Sequence, residues 1–250
     1  LIMKKNLLAL AFLVGLLTCC KSEDAPIKPV KPTDPGSINK EYMSRAETTF
    51  ANIFKYYWSD KVRMMFGSYP NTLGTPQEPS SPDYDSHAYL WGLGSVVSAF
   101  NAIVQNTDNV DFRMTYESRL KETLLKYYNT TKEPMCFGCF VNPHDQRLYD
   151  DAIWVGIDLA DLYSKTKDSW YLDYAKSVWN FVLSGKDDEL GGGVYWDENA
   201  KDSKNTCSNA PAVVLALKLY QITNDAAYLE NGKDIYKWTK SKLQDPSDYL

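Results

Sequence analysis

Two neighbouring carboxylates, Asp150 and Asp151, follow Tyr149 and enter the apolar run Ile153 to Tyr163. Two acids so close can divide one task. One gives a proton to a leaving oxygen while the other attacks or steadies an electron-poor carbon. The pair also has a purely structural use. Aspartate suits the first turn of a helix, where its carboxylate accepts unpaired backbone N–H groups and meets the positive end of the dipole. The dipole favours ionisation of both acids, whereas burial and mutual repulsion favour one retained proton. Acid catalysis requires the second effect to win at one of them.

The elements that must position the pair are helices. Apolar residues recur at intervals of three and four in Ile38–Tyr57, Phe112–Tyr127 and Tyr171–Phe181, which predicts amphipathic helices with one solvated face. Between them lie segments apolar almost all round, such as Ala210–Leu217, which predict buried helices. Seven helices are expected, near 38–58, 86–106, 110–130, 149–165, 168–184, 207–223 and 225–244, and no run alternates well enough to predict a strand. The two helix types alternate in a repeat. Tyr163-x-x-Thr166-x-Asp168-x-x-Tyr171-Leu172 matches Tyr220-x-x-Thr223-x-Asp225-x-x-Tyr228-Leu229 at an offset of 57 residues, with Trp91–Phe100 matching Trp154–Tyr163 one hairpin earlier. Such a period means stacked helical hairpins. They can form an open solenoid or close into a ring of buried inner and amphipathic outer helices, and the apolar inner segments favour the ring. Equivalent ends of the inner helices then share one face. That places Asp85-Ser86-His87-Ala88, Tyr149-Asp150-Asp151 and Cys207-Ser208-Asn209 around one funnel. The other copies lack the acidic pair, which weighs against a cap common to the repeat.

Downstream stand Gly191-Gly192-Gly193-Val194-Tyr195-Trp196-Asp197 and Lys204-Asn205-Thr206-Cys207-Ser208-Asn209-Ala210-Pro211. With Asp150-Asp151 before Ala152-Ile153-Trp154, these blocks resemble glycoside hydrolase family 76, the endo-α-1,6-mannanases. The resemblance implies an all-α fold, an (α/α)6 toroid of twelve helices in six hairpins, and retaining cleavage of an α-1,6-mannan backbone. It implies Asp150 as nucleophile and Asp151 as general acid/base, with Tyr149, Tyr195, Trp196, Lys204, Asn205 and Asn209 near the sugar. Asp85 and His87 join them by their place in the repeat alone. Each has a plainer use as well: the triglycine as a tight loop of positive φ, Trp196 as packing, Asn205 and Asn209 as helix caps. Seven helices of twelve make the chain read as the front part of a longer ring, one that is a monomer when complete.

The remaining features give an address and exclude other functions. Lys4 and Lys5 precede the apolar run Leu7–Leu17 and then Thr18-Cys19-Cys20, the pattern of a lipoprotein signal peptide over residues 1–18 with lipidation at Cys19. Residues 19–37, rich in proline and charge, read as a disordered tether, and 38–250 as the toroid domain. The expected location is the bacterial outer membrane, held by the lipid alone. With 27 Lys+Arg against 32 Asp+Glu there is no basic surface for nucleic acid. Cys136-Phe137-Gly138-Cys139 lacks the second tight ligand pair of structural zinc, so free thiols or a short-range disulfide are expected, with no metal and no cofactor. The rival reading is a surface glycan-binding lipoprotein without catalysis, which would need no acidic pair. A toroid lyase or epimerase would lean on histidine, and His87 and His144 are the only two.

Overall fold

In a computed structural model of the protein, residues 35–70, 87–141 and 146–247 are described. Cys19, the leader, Asp85 and His144 lie outside them. From Lys40 onward the chain forms one compact unit. Among the described residues there are seven helices: α1 (Pro35–Tyr57), α2 (Leu90–Asn106), α3 (Val110–Tyr127), α4 (Tyr149–Thr166), α5 (Ser169–Ser184), α6 (Thr206–Thr223) and α7 (Ala226–Leu243). Helix α1 begins inside the stretch expected to be tether, at a proline, the residue whose fixed φ and missing N–H suit a first helical position.

The alternation expected from the sequence is the packing order. Helices α2, α4 and α6 lie side by side, with α4 touching both of the others, while α5 packs on α4 and α7 on α6. Helix α4 buries Ala152, Ile153, Val155, Gly156, Ile157, Leu159, Ala160 and Leu162. Each large apolar side chain there contributes about 1.5–3 kcal/mol on burial, so packing outweighs the modest helix propensity of the β-branched residues. At the front, Phe50 of α1 lies 6.0 Å from the Phe100 ring of α2 and 5.3 Å from the Phe112 ring of α3. Polar bonds tie the inner helices as well. Asp158 of α4 accepts hydrogen bonds from Ser98 and Asn101 of α2, and Asp161 pairs with Lys218 of α6 at 2.5 Å. Burial raises the Asp158 carboxyl above its usual range, against the pull of those two donors.

The helix ends differ by layer. The outer helices α3, α5 and α7 are capped by side chains: Asn109 on Phe112 N at 3.0 Å, Asp168 on Trp170 N at 3.0 Å, Asp225 on Ala227 N at 2.9 Å. The inner helices begin at Tyr89, Leu148 and Asn205 with no side-chain cap bond. Helices α4 and α6 stop alike, with Lys167 and Asn224 left-handed and their N–H groups on Tyr163 O and Tyr220 O, both at 2.8 Å.

Two short ladders depart from the all-helical expectation: β1 (Trp58–Ser59) with β2 (Met64–Met65), and β3 (Tyr128–Asn129) with β4 (Cys136–Phe137). Two residues per strand are too few to show an alternating pattern. The second ladder also stops α3 at Tyr127, short of the expected 130. Helix α2 starts at Leu90 rather than near 86. Among the described residues no helix is long and apolar enough to cross a membrane.

Candidate active site

Helices α2 and α4 start on backbone bonds to later connections of the chain. Leu90, the first residue of α2, gives its N–H to Cys139 O at 2.9 Å, and Tyr149, the first of α4, gives its N–H to Trp196 O at 3.0 Å. The two acceptors hold equivalent places in successive repeats, and Trp196 also directs its side chain at the acidic pair. The indole Nε1 of Trp196 donates to Asp150 Oδ2 at 3.1 Å, and the N–H of Asp151 donates to Asp150 Oδ1 at 3.0 Å. The Cys139 thiol lies near enough to Asp151 to lower its carboxyl's pKa. At the start of α6, burial and the nearby Asp150 charge both raise the pKa of the Cys207 thiol.

Burial first, then the charge of Asp150, pushes the Asp151 carboxyl from 3.8 to about 6, while the neighbouring Cys139 thiol pulls the other way. Asp151 therefore keeps a proton into mildly acidic solution, as a general acid must. It lines a groove of about 140 Å³ between α2 and α4 with Trp91, Gly94, Ser95, Ser98 and Trp154. Trp91 and Trp154 are exposed there, two flat apolar faces beside the acid. His87 lines the neighbouring cleft of about 620 Å³, which shares Trp91 with the groove. Burial, then Lys126, lowers its pKa. Among the described residues no group of three or more His, Cys, Asp or Glu is arranged to hold a metal ion. Cys136, Cys139 and Cys207 are free thiols, and burial pushes Cys136 up to about 12.

Of the residues expected near a sugar, Trp196 meets the pair, while four others are built into the wall behind it. Lys204 is fully buried. Its ammonium donates to Asp187 Oδ1 at 2.7 Å, Asp187 O at 3.2 Å, Glu189 O at 2.7 Å and Gly192 O at 2.8 Å, and it lies 4.3 Å from the Tyr195 ring. Asn209, also buried, takes Val194 N on Oδ1 at 2.7 Å and gives Nδ2 to Val194 O at 2.8 Å, so it acts as a strand partner rather than a cap. Tyr195 is buried. Tyr149 is stacked on Phe181 at 4.3 Å, and its ring fills the space that a side chain at Gly185 would take, with a Cβ there 2.4 Å from Cζ. These residues hold the backbone that holds the pair. Asn205 stands at the head of α6, where its carbonyl, not its side chain, accepts Ser208 N and Asn209 N. The triglycine is the tight loop its composition suggests, with φ of 78°, 117° and 76°. At Gly193 a Cβ would lie 2.4 Å from Cε3 of Trp238, so the close approach of α7 also demands glycine.

Sequence reasoning missed Arg147. It is fully buried, paired through two bonds with Glu198, and it donates to Lys132 O at 3.1 Å and Pro134 O at 2.7 Å. Burial works against ionised Glu198, but the Arg147 and Lys132 bonds win and hold its carboxyl below the usual range. Together with the Leu148–Asp197 bridge, this straps the residues before the pair to those after Trp196. An isolated arginine carries no periodic signal that would have marked it.

A family model described as glycosyl hydrolase family 76 matches residues 41–250. A comparison with curated proteins finds no match. Among solved structures, a family 76 glycoside hydrolase from a bovine Bacteroides thetaiotaomicron strain is 31% identical with a TM-score of 0.73, over 84% of this chain and 44% of that one. A family 76 mannosidase from Bacteroides thetaiotaomicron VPI-5482 is 26% identical, TM-score 0.73, over 84% and 56%. An α-1,6-mannanase of Salegentibacter sp. HEL1_6, in an inactive form with two consecutive aspartates replaced by asparagine and α-1,6-mannotriose bound, is 24% identical, TM-score 0.61, over 83% and 53%. At that identity the last likeness speaks to the fold alone. The chain spans about half the length of these structures.

Proposed function

The chain belongs to glycosyl hydrolase family 76, with the all-α architecture of the (α/α)6 toroid, and from that membership we propose that its acidic pair performs endo-acting, retaining hydrolysis of an α-1,6-mannan backbone. Asp150 attacks the anomeric carbon while Asp151 gives its proton to the leaving glycosidic oxygen, forming a glycosyl-enzyme. Asp151, now ionised, then takes a proton from water as that water attacks the same carbon, which restores Asp150 and retains the configuration. The observation that carries this reading is the different setting of the two neighbours. Asp151 is half-buried against a groove with its carboxyl raised to about 6, and Asp150 is held by two N–H donors at the head of the same helix. A glycan-binding protein has no use for that difference. The aromatic faces of Trp91 and Trp154 suit pyranose rings, and the bound mannotriose of the Salegentibacter protein supports the choice of substrate.

The test is turnover of α-1,6-mannan by the protein and its Asp150→Ala and Asp151→Ala variants. Each should lose activity by about 10²–10⁴-fold or more. With an activated leaving group, Asp151→Ala should still form the glycosyl-enzyme and be accelerated by azide, whereas Asp150→Ala should form none. Near wild-type turnover by Asp150→Asn or Asp151→Asn would return the pair to a structural role. We read the protein further as exported, anchored to the outer membrane through lipid on Cys19, monomeric, and working on polysaccharide without a cofactor. Fatty-acid labelling lost in Cys19→Ala supports the anchor, and an unlabelled wild type refutes it.

A further inference from the structure

Asp158 is a buried carboxylate that the chemistry just given does not use. It lies two turns after Asp151 along the same face of α4, about 10 Å down the axis. Beside it stands Ser98, a residue of α2 that also lines the groove holding Asp151. The Ser98 hydroxyl donates to Asp158 Oδ2, and the Asn101 amide donates to Oδ1 at 2.8 Å. A hydroxyl has one proton and two lone pairs, so Ser98 can meet a ligand in the groove only as an acceptor. Ser95, the other hydroxyl of the groove, spends its proton on Trp91 O at 3.3 Å. We propose that Asp158 is a positioning residue, which holds Ser98 as a fixed acceptor for one hydroxyl of the sugar lying against Asp151.

The direction of each bond follows from a backbone atom. The carbonyl of Asp161 can only accept, and it takes Gln105 Nε2 at 3.0 Å. The same Nε2 donates to Asn101 Oδ1 at 3.1 Å, which turns the Asn101 amide nitrogen toward Asp158. Asp158 therefore accepts from both of its α2 partners. Sugar hydroxyls are donors, and the exposed rings of Trp91 and Trp154 flank the acceptor with apolar faces. At about 140 Å³ the groove is smaller than the usual ligand pocket of about 300–1,000 Å³, so it receives the edge of one sugar rather than a chain. Replacing Asp158 by asparagine reverses the hydroxyl. The new carbonyl oxygen must meet Asn101 Nδ2, which sets the new amide nitrogen against Ser98. Ser98 then accepts inside the network, and its proton turns into the groove against the donor of the sugar.

The sugar class rests on the glycosidase reading, and the experiment separates the two. Binding of α-1,6-mannotriose is measured by calorimetry in an Asp150→Ala background, so that no probe is cleaved, with Ser98→Ala or Asp158→Asn added. Ser98→Ala should weaken binding by about 3–10-fold, and Asp158→Asn by at least as much. With Asp150 intact, each should raise KM more than it lowers kcat, whereas a mere tie between α2 and α4 would cost stability and leave KM alone. A second measurement varies the ligand instead. Among methyl α-1,6-mannobiosides carrying fluorine in place of one hydroxyl, one should bind less well than its parent by a comparable factor, because fluorine cannot donate. That loss should vanish in Ser98→Ala. Mannotriose binding unchanged in both variants, no binding at all, or no fluorine position that weakens binding overturns the proposal even if mannan is cleaved. Variants that behave as stated in a protein that is inert on mannan with Asp150 intact uphold the acceptor and sink the glycosidase reading.

Discussion

Replacing Asp151 with asparagine should make the protein more stable at neutral pH while removing its activity. The carboxyl is pushed from 3.8 to about 6, by burial first and by Asp150 second. A folded-state pKa above the unfolded value means that the native state binds more protons between those two pH values. The associated stability is fully present below about pH 4 and is lost as pH climbs through about 6. Two units at about 1.4 kcal/mol each give about 3 kcal/mol. The side chain keeps some contact with water, and asparagine leaves an amide to be satisfied in the same place, so the expected gain is about 1–3 kcal/mol. Urea denaturation followed by circular dichroism at pH 4 and pH 7.5 reads it. The variant should match wild type at pH 4 and exceed it at pH 7.5. A difference that is the same at both pH values, or a variant less stable at pH 7.5, would refute the claim that Asp151 is held there at an electrostatic cost. The pattern is expected where a site is shaped for chemistry rather than for its own stability.

The residues behind the pair should respond differently. Lys204→Met leaves Asp187 and three loop carbonyls without their shared donor and should cost about 2–4 kcal/mol in denaturation, whereas a lysine serving only to bind sugar would raise KM with stability unchanged. Gly185→Ala drives a methyl into the Tyr149 ring at 2.4 Å, so it should destabilise by about 1–3 kcal/mol and lower kcat more than it raises KM, since Tyr149 directly precedes Asp150. A fully stable, fully active Gly185→Ala would show that the ring does not set the position of the pair.

The periodic part of this structure was legible because it repeats. Three-and-four spacing separated the helix types, and the 57-residue offset gave their order and brought Asp150, Asp151 and Cys207 to one end of the inner layer. What stayed hidden is what occurs once. Arg147 and Glu198 form the strap ahead of the pair through a contact between distant loops. Lys204 and Asn209 stand in a chemistry-rich block, but their side chains reach backbone atoms of the 187–194 connection. Residue type advertised a ligand; burial assigned a scaffold. The short ladders were missed for a simpler reason, since Cys136–Phe137 is too brief to leave a pattern.

The sequence posed one question that residue types could not answer, whether Asp150 and Asp151 cap a helix or act on a substrate. The outer helices show what capping looks like in this protein. Asp168 and Asp225 each stand just before the helix and take the N–H two residues on. In α4 that place belongs to Leu148, which makes no side-chain cap bond, and the pair falls further in, after Tyr149. Asp150 still gives one oxygen to a backbone N–H, that of Asp151, so the structural use is partly real. Its other oxygen takes the Trp196 indole, and Asp151 lines the groove between α2 and α4. A repeat that caps its outer helices with side chains, and starts α2 and α4 on carbonyls from later connections, leaves those inner-helix heads open for other work. The raised Asp151 carboxyl is a local cost that capping gives no reason to accept, and proton donation does.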